Sequence, residues 1–210
     1  RLYVTVGSNS NVGENGMENE ANRAAILEVN PATRAWRLFA TGLRNCSGLT
    51  VNPESDEVWC AVNERDKLGH DLVPDYVTRV VKFSRDGKFI KEWGKLGTGP
   101  GEFRNAHALA LDSRGRVFVG DRGNARLQVF DADGKFIAEW KQFGRPSGLY
   151  IDKDDKLYVI DADSSAANNP GWKKGIRIGN ARDGKVVAFV PGHQTDNPDG
   201  AAGEGIVADP

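Results

Sequence analysis

The chain has 210 residues, 39% of them hydrophobic, and its 28 lysines and arginines balance 29 aspartates and glutamates. This length and apolar content suffice for one folded domain over residues 1–210. The near-neutral charge excludes a general attraction to nucleic acid, and no apolar stretch is long enough to cross a bilayer, so we expect neither a nucleic-acid partner nor a membrane span.

The first predicted strands are RLYVTV at residues 1–6, then AAILEVN and WRLFAT. The next two, CSGLTVN and EVWCAV, are joined by the turn PESD and carry Cys46 and Cys60. A hairpin brings the two cysteines near each other, but this register sets them diagonally apart. Because a disulfide needs a particular Cα separation and orientation, we expect two buried thiols, with a disulfide as the alternative.

Internal repetition is the strongest signal in the chain. FSRDGKFIKEW begins at Phe83 and FDADGKFIAEW at Phe130, with eight of eleven positions identical. A second element recurs as GLTVNPESDEVWCAV, ALALDSRGRVFVGD and GLYIDKDDKLYVID, each two short alternating strands around a polar turn. Four antiparallel strands per repeated unit predict a β-propeller blade, and the repeated strand-end residues Trp93 and Trp140 predict packing between blades.

The predicted fold class is therefore all-β, a propeller of about four blades. EGIVADP at residues 204–210 resembles a first strand and RLYVTV a second strand, so we expect the two ends to pair and close the ring. The predicted blades cover about residues 1–45 plus 204–210, 46–96, 97–143 and 144–203.

Because successive strands run in opposite directions, the connections between them lie at two opposite ends of the predicted propeller. One end carries tight turns such as DSRG, DKDD and DADG, in which Asp and Gly satisfy the local backbone. The other end carries the long loops and all three histidines, His70, His107 and His193. Because long loops on a rigid scaffold usually hold binding groups, we predict that the functional surface is the long-loop end.

Residues from about 80 to 210, especially GPGEFRNAHALALDSRGRVFVGDRGNARLQVFD, resemble NHL-repeat propellers and most closely the peptidyl-α-hydroxyglycine amidating-lyase branch. In that branch, histidines at the starts of inner strands bind zinc, and His107 stands at such a position. Ser47 and Glu204 stand at the equivalent positions here. One imidazole does not make the multi-ligand site of a catalytic zinc, so we predict no metal ligands. We expect His107 to hydrogen-bond to a backbone carbonyl or a carboxylate, with Glu204 as its partner.

The motifs YVTVGSNSNVGENG, GLRNCSGLTVNPESDEVWCAVNERD and LVPDYVTRV lie in residues 1–80. Through them this part of the chain resembles soluble glucose and sorbosone dehydrogenases that use pyrroloquinoline quinone. The resemblance implies that Arg44 and Asn45 face quinone and substrate; the alternative is that they cap the turn. It also implies calcium ligands in the loop NERDKLGHDL, which contributes the candidate binding residues Asn63, Glu64, Arg65, Asp66 and His70. The general-base histidine of these dehydrogenases has no counterpart here, so we expect an incomplete catalytic set.

Three functional hypotheses follow. The first is an extracytoplasmic propeller, periplasmic or secreted by family analogy, that binds a small molecule, a carbohydrate or a protein on its long-loop end without a cofactor. Its candidate residues include His107, Glu204 and Arg122, although Arg122 and Arg126 are also expected to pair with Asp121 or a neighbouring blade. The second is the quinone- and calcium-dependent aldose dehydrogenase, and the third is the zinc-dependent lyase.

Overall fold

The computed structural model describes residues 1–10, 14–63, 78–193 and 202–208, and within these ranges the regular secondary structure is almost entirely β-strand. Its helical segments are two short 3-10 helices, Met17–Glu20 and Arg122–Asn124. Across the same ranges no helix has the length and apolar character needed to cross a membrane.

The strands form sheets that follow one another along the chain. Blade 1 has three antiparallel strands, β1 (Leu2–Val6), β2 (Ala25–Val29) and β3 (Trp36–Thr41). Blade 2 has four, β4 (Cys46–Val51), β5 (Val58–Val62), β6 (Arg79–Phe83) and β7 (Phe89–Trp93). A short parallel pair follows, β8 (Lys95–Leu96) and β9 (Glu102–Phe103).

Blade 3 consists of β10 (Ala106–Leu111), β11 (Val117–Asp121), β12 (Arg126–Phe130) and β13 (Phe136–Trp140). Blade 4 consists of β14 (Pro146–Ile151), β15 (Lys156–Asp161), β16 (Gly175–Asn180) and β17 (Val186–Pro191). Blades 2, 3 and 4 thus each show the predicted meander of four antiparallel strands.

The predicted turn chemistry is confirmed at the end of the molecule that carries the tight turns. Asp112, Asp131 and Asp152 each accept two backbone N–H groups from their own turn through Oδ1. Each carboxylate therefore replaces the backbone partners that a tight turn leaves unpaired. The Asp-rich segment at residues 152–155 is a turn, as expected.

The hydrophobic core lies between blades rather than within one sheet. It divides into three clusters, each built from the facing sides of two consecutive blades. Representative pairs are Ile26 with Val58, Trp59 with Val119, and Phe118 with Leu157. The second strands of blades 2 and 3 are buried at every position, because both of their faces meet a neighbouring blade.

The repeated tryptophans fill these interfaces, which confirms the prediction that they pack between blades. A Cβ on Gly134 of blade 3 would stand 2.8 Å from the indole of Trp93 in blade 2, and a Cβ on Gly184 of blade 4 would stand 2.6 Å from that of Trp140 in blade 3. Each indole thus lies against a turn that has no side chain. Both glycines have positive φ, 81° and 74°, which the turn also requires.

Cys46 and Cys60 form a disulfide, so the expectation of two buried thiols is wrong. The reason is a β-bulge in the β4–β5 ladder, where Cys46 pairs with Val62 but Gly48 already pairs with Ala61. The extra residue, Ser47, places both cysteines on one face. Their Cα atoms are 5.8 Å apart, inside the range that a disulfide spans.

The expected strand over residues 204–210 is wrong for its described part. Residues 202–208 form no strand, and β1 is an edge of its sheet, so the described residues do not close the ring as predicted. The segment instead packs on blade 4, where a Cβ on Gly148 would stand 2.7 Å from the carbonyl oxygen of Glu204. The missing side chain of Gly148 permits this close approach.

We predict that Gly184→Ala destabilises the protein more than Gly115→Ala. The two glycines have nearly equal φ, 74° and 73°, but a Cβ at Gly115 meets no atom within 4 Å. The left-handed conformation should cost about 1 kcal/mol at Gly115, and displacing Trp140 should add about 1–3 kcal/mol at Gly184. Urea denaturation of both variants measures the difference, and equal losses would contradict the role assigned to the indole.

We also predict that the disulfide stabilises the fold. It closes a loop with a sequence separation of 14 residues. Its reduction should lower the free energy of unfolding by roughly 3 kcal/mol, because the open loop gains conformational entropy in the unfolded state. Denaturation with and without dithiothreitol measures this loss. The double variant Cys46→Ala, Cys60→Ala is the control and should not respond to the reductant; a wild-type curve that does not respond would reject the prediction.

Candidate functional site

His107 occupies a β-bulge at the start of the inner strand β10. In the β10–β11 ladder Ala106 pairs with Asp121 and Ala108 with Gly120, which leaves His107 without a partner. The same irregularity falls at Ser47 in β4 and at Ser147 in β14. Bulges redirect side chains away from the regular ladder, and here they do so at one equivalent position in three blades.

The imidazole of His107 connects two blades. Its Nδ1 lies 2.9 Å from the carbonyl oxygen of Ser147 in blade 4. Because a carbonyl only accepts, Nδ1 carries the proton in the neutral ring and Nε2 is left as an acceptor. Ser47 makes an equivalent bond, since its hydroxyl donates to the carbonyl oxygen of Ala106 in blade 3 at 3.2 Å. The expected bond from His107 to a backbone carbonyl is thus confirmed.

Glu204 brings a carboxylate to the same place. Its Oε2 lies 3.7 Å from Nε2 of His107 and 3.6 Å from Nη1 of Arg122. Glu204 thus lies beside His107, but at 3.7 Å the expected hydrogen bond between them is not formed. The Glu204 side chain is 65% exposed, whereas those of His107 and Arg122 are 18% and 21% exposed. We call these three residues the axial cluster.

Burial has the largest effect on His107 and lowers the pKa of its imidazole below the usual value. The positive charge of Arg122 acts in the same direction, while the carbonyl of Ser147 and the carboxylates of Glu204 and Asp163 act against it. The neutral ring is therefore the favoured form in the folded protein at neutral pH. Its Nε2 can accept a hydrogen bond from a ligand.

Asp121 and Asp161 are buried at the ends of the second strands of blades 3 and 4. Both hold nearby loops of this end of the molecule through hydrogen bonds. Asp121 accepts from the backbone N–H of Arg104 and pairs with Arg126, whose Nε lies 2.9 Å from Oδ2. The predicted pairing of Asp121 with Arg126 is confirmed. Asp161 is the equivalent in blade 4 and accepts from Ser164 and Arg177.

Asp161 and Arg177 were not among the predicted residues, although a signal for them is present in the sequence. GDRGNAR and VIDAD both place an aspartate at the end of a second strand, and an arginine follows on the third strand in both blades. Each aspartate bonds several N–H groups of the adjoining loop, so the pair fixes the loop entrance rather than a ligand.

Arg44, Asn45 and Asn63 form a second group at the same end. The carbonyl oxygen of Arg44 accepts the N–H of Ser8 at 2.8 Å, and that of Asn45 accepts the N–H of Asn63 at 2.8 Å. Their backbone thus joins the end of β1 to the end of β5, which agrees with the alternative of a structural turn. A role of the Arg44 and Asn45 side chains toward substrate or quinone stays a prediction.

The remaining candidate binding residues, Glu64, Arg65, Asp66 and His70, lie outside the described residues. Among the residues that the structure does describe, no group of three or more His, Cys, Asp or Glu side chains is placed to hold a metal ion. The axial cluster supplies one imidazole and one carboxylate, and a guanidinium lies beside the carboxylate.

A cavity of about 600 Å³ opens at the other end of the axis, among the tight turns. Its wall comes from the ends of the inner strands of blades 2, 3 and 4, and includes Thr50, Leu111 and Tyr150. No sequence pattern predicts a cavity there, because these turns have a structural explanation. Within the described ranges, the axial cluster and this turn-end cavity are therefore both candidate surfaces.

We predict that protonation of His107 weakens the fold. Since its pKa is lower in the folded than in the unfolded protein, the unfolded state binds more protons once the pH falls below about 6.5. The free energy of unfolding should therefore fall between pH 7 and pH 5, and His107→Gln should reduce that slope. Chemical denaturation across this range measures it. His193→Gln, which changes an exposed histidine, is the matched control. A slope that is no smaller in His107→Gln than in the wild type and the control would contradict the prediction.

Comparison with known proteins places these residues in context. Residues 103–130, which include His107 and Arg126, match the NHL repeat. Human NHL repeat-containing protein 3 is 49% identical over 51 residues, which are 24% of this chain and 15% of that protein. Mouse peptidyl-glycine alpha-amidating monooxygenase is 43% identical over 56 residues, covering 24% of this chain and 6% of the relative. The chain thus matches only a small part of the length of either relative.

Solved structures agree on the architecture. Kuenenia stuttgartiensis hydrazine synthase superimposes with a TM-score of 0.56 at 15% identity, over 80% of this chain and 44% of that chain. The WD40 repeats of RRP9 superimpose with a TM-score of 0.52 at 18% identity, over 70% of this chain and 39% of that chain. These similarities concern the fold alone. The chain thus has a propeller-like all-β fold of consecutive antiparallel sheets, and its residues 103–130 form an NHL repeat.

Proposed function

We propose that the chain is a binding module that holds a neutral, hydroxyl-rich small molecule, such as a sugar, at the long-loop end of its axis. The observation that carries the proposal is the axial cluster, where Glu204 lies within 3.7 Å of both His107 and Arg122. The three side chains come from different segments, and the carboxylate remains largely exposed to solvent. Their polar groups can therefore still form hydrogen bonds to a ligand.

The chemistry of the cluster favours hydroxyl groups. Arg122 donates, Glu204 accepts, and the neutral imidazole of His107 accepts through Nε2. A sugar or polyol hydroxyl both donates and accepts, so one ligand can satisfy all three side chains. A charged ligand would meet either the carboxylate or the guanidinium as a like charge, which disfavours binding.

A zinc-dependent lyase fits this cluster poorly. Catalytic zinc takes three protein ligands, whereas the cluster offers only two, Nε2 of His107 and the carboxylate of Glu204. Arg122 also places a positive charge beside the carboxylate that a cation would need. The quinone- and calcium-dependent alternative depends on residues 64–70, which lie outside the described ranges.

We further propose an extracytoplasmic location, periplasmic or secreted. The disulfide between Cys46 and Cys60 supports it, because structural disulfides form and persist mainly in oxidising compartments. A protein partner at the long loops is the other form of the binding hypothesis, and the axial cluster favours the small ligand because it is compact and polar.

Saturation-transfer NMR with glucose, galactose, myo-inositol and glycerol tests the proposal. We expect binding of at least one of these compounds to the wild-type protein. Arg122→Ala and Glu204→Gln should each weaken it at least tenfold, since each removes a bond of about 1.5–3 kcal/mol to a charged group. Tyr150→Ala, which changes the turn-end cavity, is the control and should leave the affinity unchanged.

The other outcomes overturn the proposal in distinct ways. Binding that survives Arg122→Ala but is lost in Tyr150→Ala would place the ligand in the turn-end cavity. Absence of sugar binding together with stoichiometric zinc binding that His107→Ala abolishes, measured by calorimetry, would favour the lyase instead.

A further inference from the structure

The turn-end cavity is a concave site at the opposite end of the axis from the axial cluster. Its wall is formed by the ends of the inner strands β4, β10 and β14 and by the tight turns that follow them. No described lining residue precedes Thr50 or follows Lys153, so the site depends on neither end of the chain. Its volume of about 600 Å³ is within the range of small-molecule sites.

The inner part of this wall is apolar. Val51, Leu111 and Ile151 end the three inner strands and occupy equivalent positions, since each pairs with the residue that begins the second strand or lies next to its start. Each packs against a core cluster between blades but is only half-buried, and all three line the cavity. They offer a ligand a surface on which methylene groups can leave water.

The turns around this apolar surface carry charged side chains, two of which are already paired. Asp112 of blade 3 is neutralised by Arg116, whose Nε and Nη2 lie 2.8 and 2.7 Å from its Oδ2. Lys153 of blade 4 is paired with Asp154, whose Oδ2 lies 3.2 Å from its Nζ. The charges of Asp112 and Lys153 are therefore balanced by neighbouring residues.

Two further carboxylates of the lining have no cationic partner among the described residues. Glu54 of blade 2 is exposed on its turn. Asp152 of blade 4 accepts two backbone N–H groups through Oδ1, and its Oδ2 accepts the hydroxyl of Tyr158 at 3.3 Å. Because blade 3 lies between blades 2 and 4, the two negative charges come from separate walls of the cavity.

An apolar surface flanked by two unpaired carboxylates fits a linear aliphatic chain with a cation at each end. The methylene groups would lie on Val51, Leu111 and Ile151, and each ammonium would pair with one carboxylate. The ring of Tyr150 also lines the cavity, and aromatic faces attract cations. An anionic ligand would meet like charges here, which disfavours binding.

We propose that the turn-end cavity binds a linear aliphatic polyamine, with Glu54 and Asp152 as the partners of its ammonium groups. The site is independent of the axial cluster, where Arg122 places a positive charge beside the carboxylate and disfavours a cation. The chain thus has two binding sites of different chemistry at the two ends of its axis.

Isothermal titration calorimetry of the whole chain with cadaverine and with the longer spermidine tests the proposal. We expect saturable binding that weakens as sodium chloride is added, because salt screens the charges at the cavity mouth. Pentylamine has the same chain length as cadaverine but one ammonium group, and pentanediol has none. Each should bind more weakly than cadaverine, pentylamine by roughly tenfold, since it lacks one charged hydrogen bond.

Glu54→Gln and Asp152→Asn each remove one charge and should weaken cadaverine binding roughly tenfold. Asp152→Asn keeps its turn, since Asn52 already accepts two backbone N–H groups through Oδ1 at the equivalent place in blade 2. Asp183→Asn is the matched control, because it removes an exposed carboxylate from a tight turn of blade 4 outside the cavity lining. It should leave the affinity unchanged, as should Arg122→Ala.

Three results would each overturn the proposal. The first is that neither cadaverine nor spermidine binds. The second is that pentylamine binds as tightly as cadaverine, which would remove the role of a second carboxylate. The third is that cadaverine binding is weakened by Asp183→Asn as much as by Glu54→Gln and Asp152→Asn, which would indicate a general attraction to negative charge rather than a site.

Discussion

Apolar packing between the faces of consecutive blades is the interaction on which the rest of this structure depends. Each blade is a thin sheet with two apolar faces, so no blade can bury its hydrophobic surface alone. The three core clusters all lie between blades, and the second strands of blades 2 and 3 are buried at every position. This stacking brings the inner strands β4, β10 and β14 side by side around the axis. It therefore also places the side chains at their starts, including His107, in one region.

The sequence was sufficient to predict those features that a repeat makes visible. FSRDGKFIKEW and FDADGKFIAEW occupy equivalent positions, so the repeat alone assigns Trp93 and Trp140 to the same kind of interface. The turns at Asp112, Asp131 and Asp152 were predictable because their hydrogen bonds are local. The contact of His107 with Glu204 followed from equivalence of position along two first strands, even though Glu204 lies in no regular strand.

Other features were not predictable because they depend on register or on contacts between distant segments. The bulge at Ser47 has no signature in CSGLTVN, yet it decides whether Cys46 and Cys60 share a face. The path of residues 202–208 is set by packing against Gly148, and a match of apolar pattern cannot distinguish that packing from pairing with β1. The ion pair of Asp161 with Arg177 is an intermediate case, because a long loop separates its two strands and only the equivalence with Asp121 and Arg126 in the sequence points to it.

The side chains at the repeated bulge, Ser47, His107 and Ser147, determine the chemistry of the axis but take no part in the strand pairing that stabilises the sheets. A residue that takes no part in the ladder can change its side chain without loss of a strand-to-strand pairing. The chain already has two serines and one histidine in these equivalent places. Propellers of this type can therefore acquire new ligands by substitution at a few bulge positions while every blade remains as it is. For protein engineering, these positions offer an axial surface that can be redesigned one residue at a time.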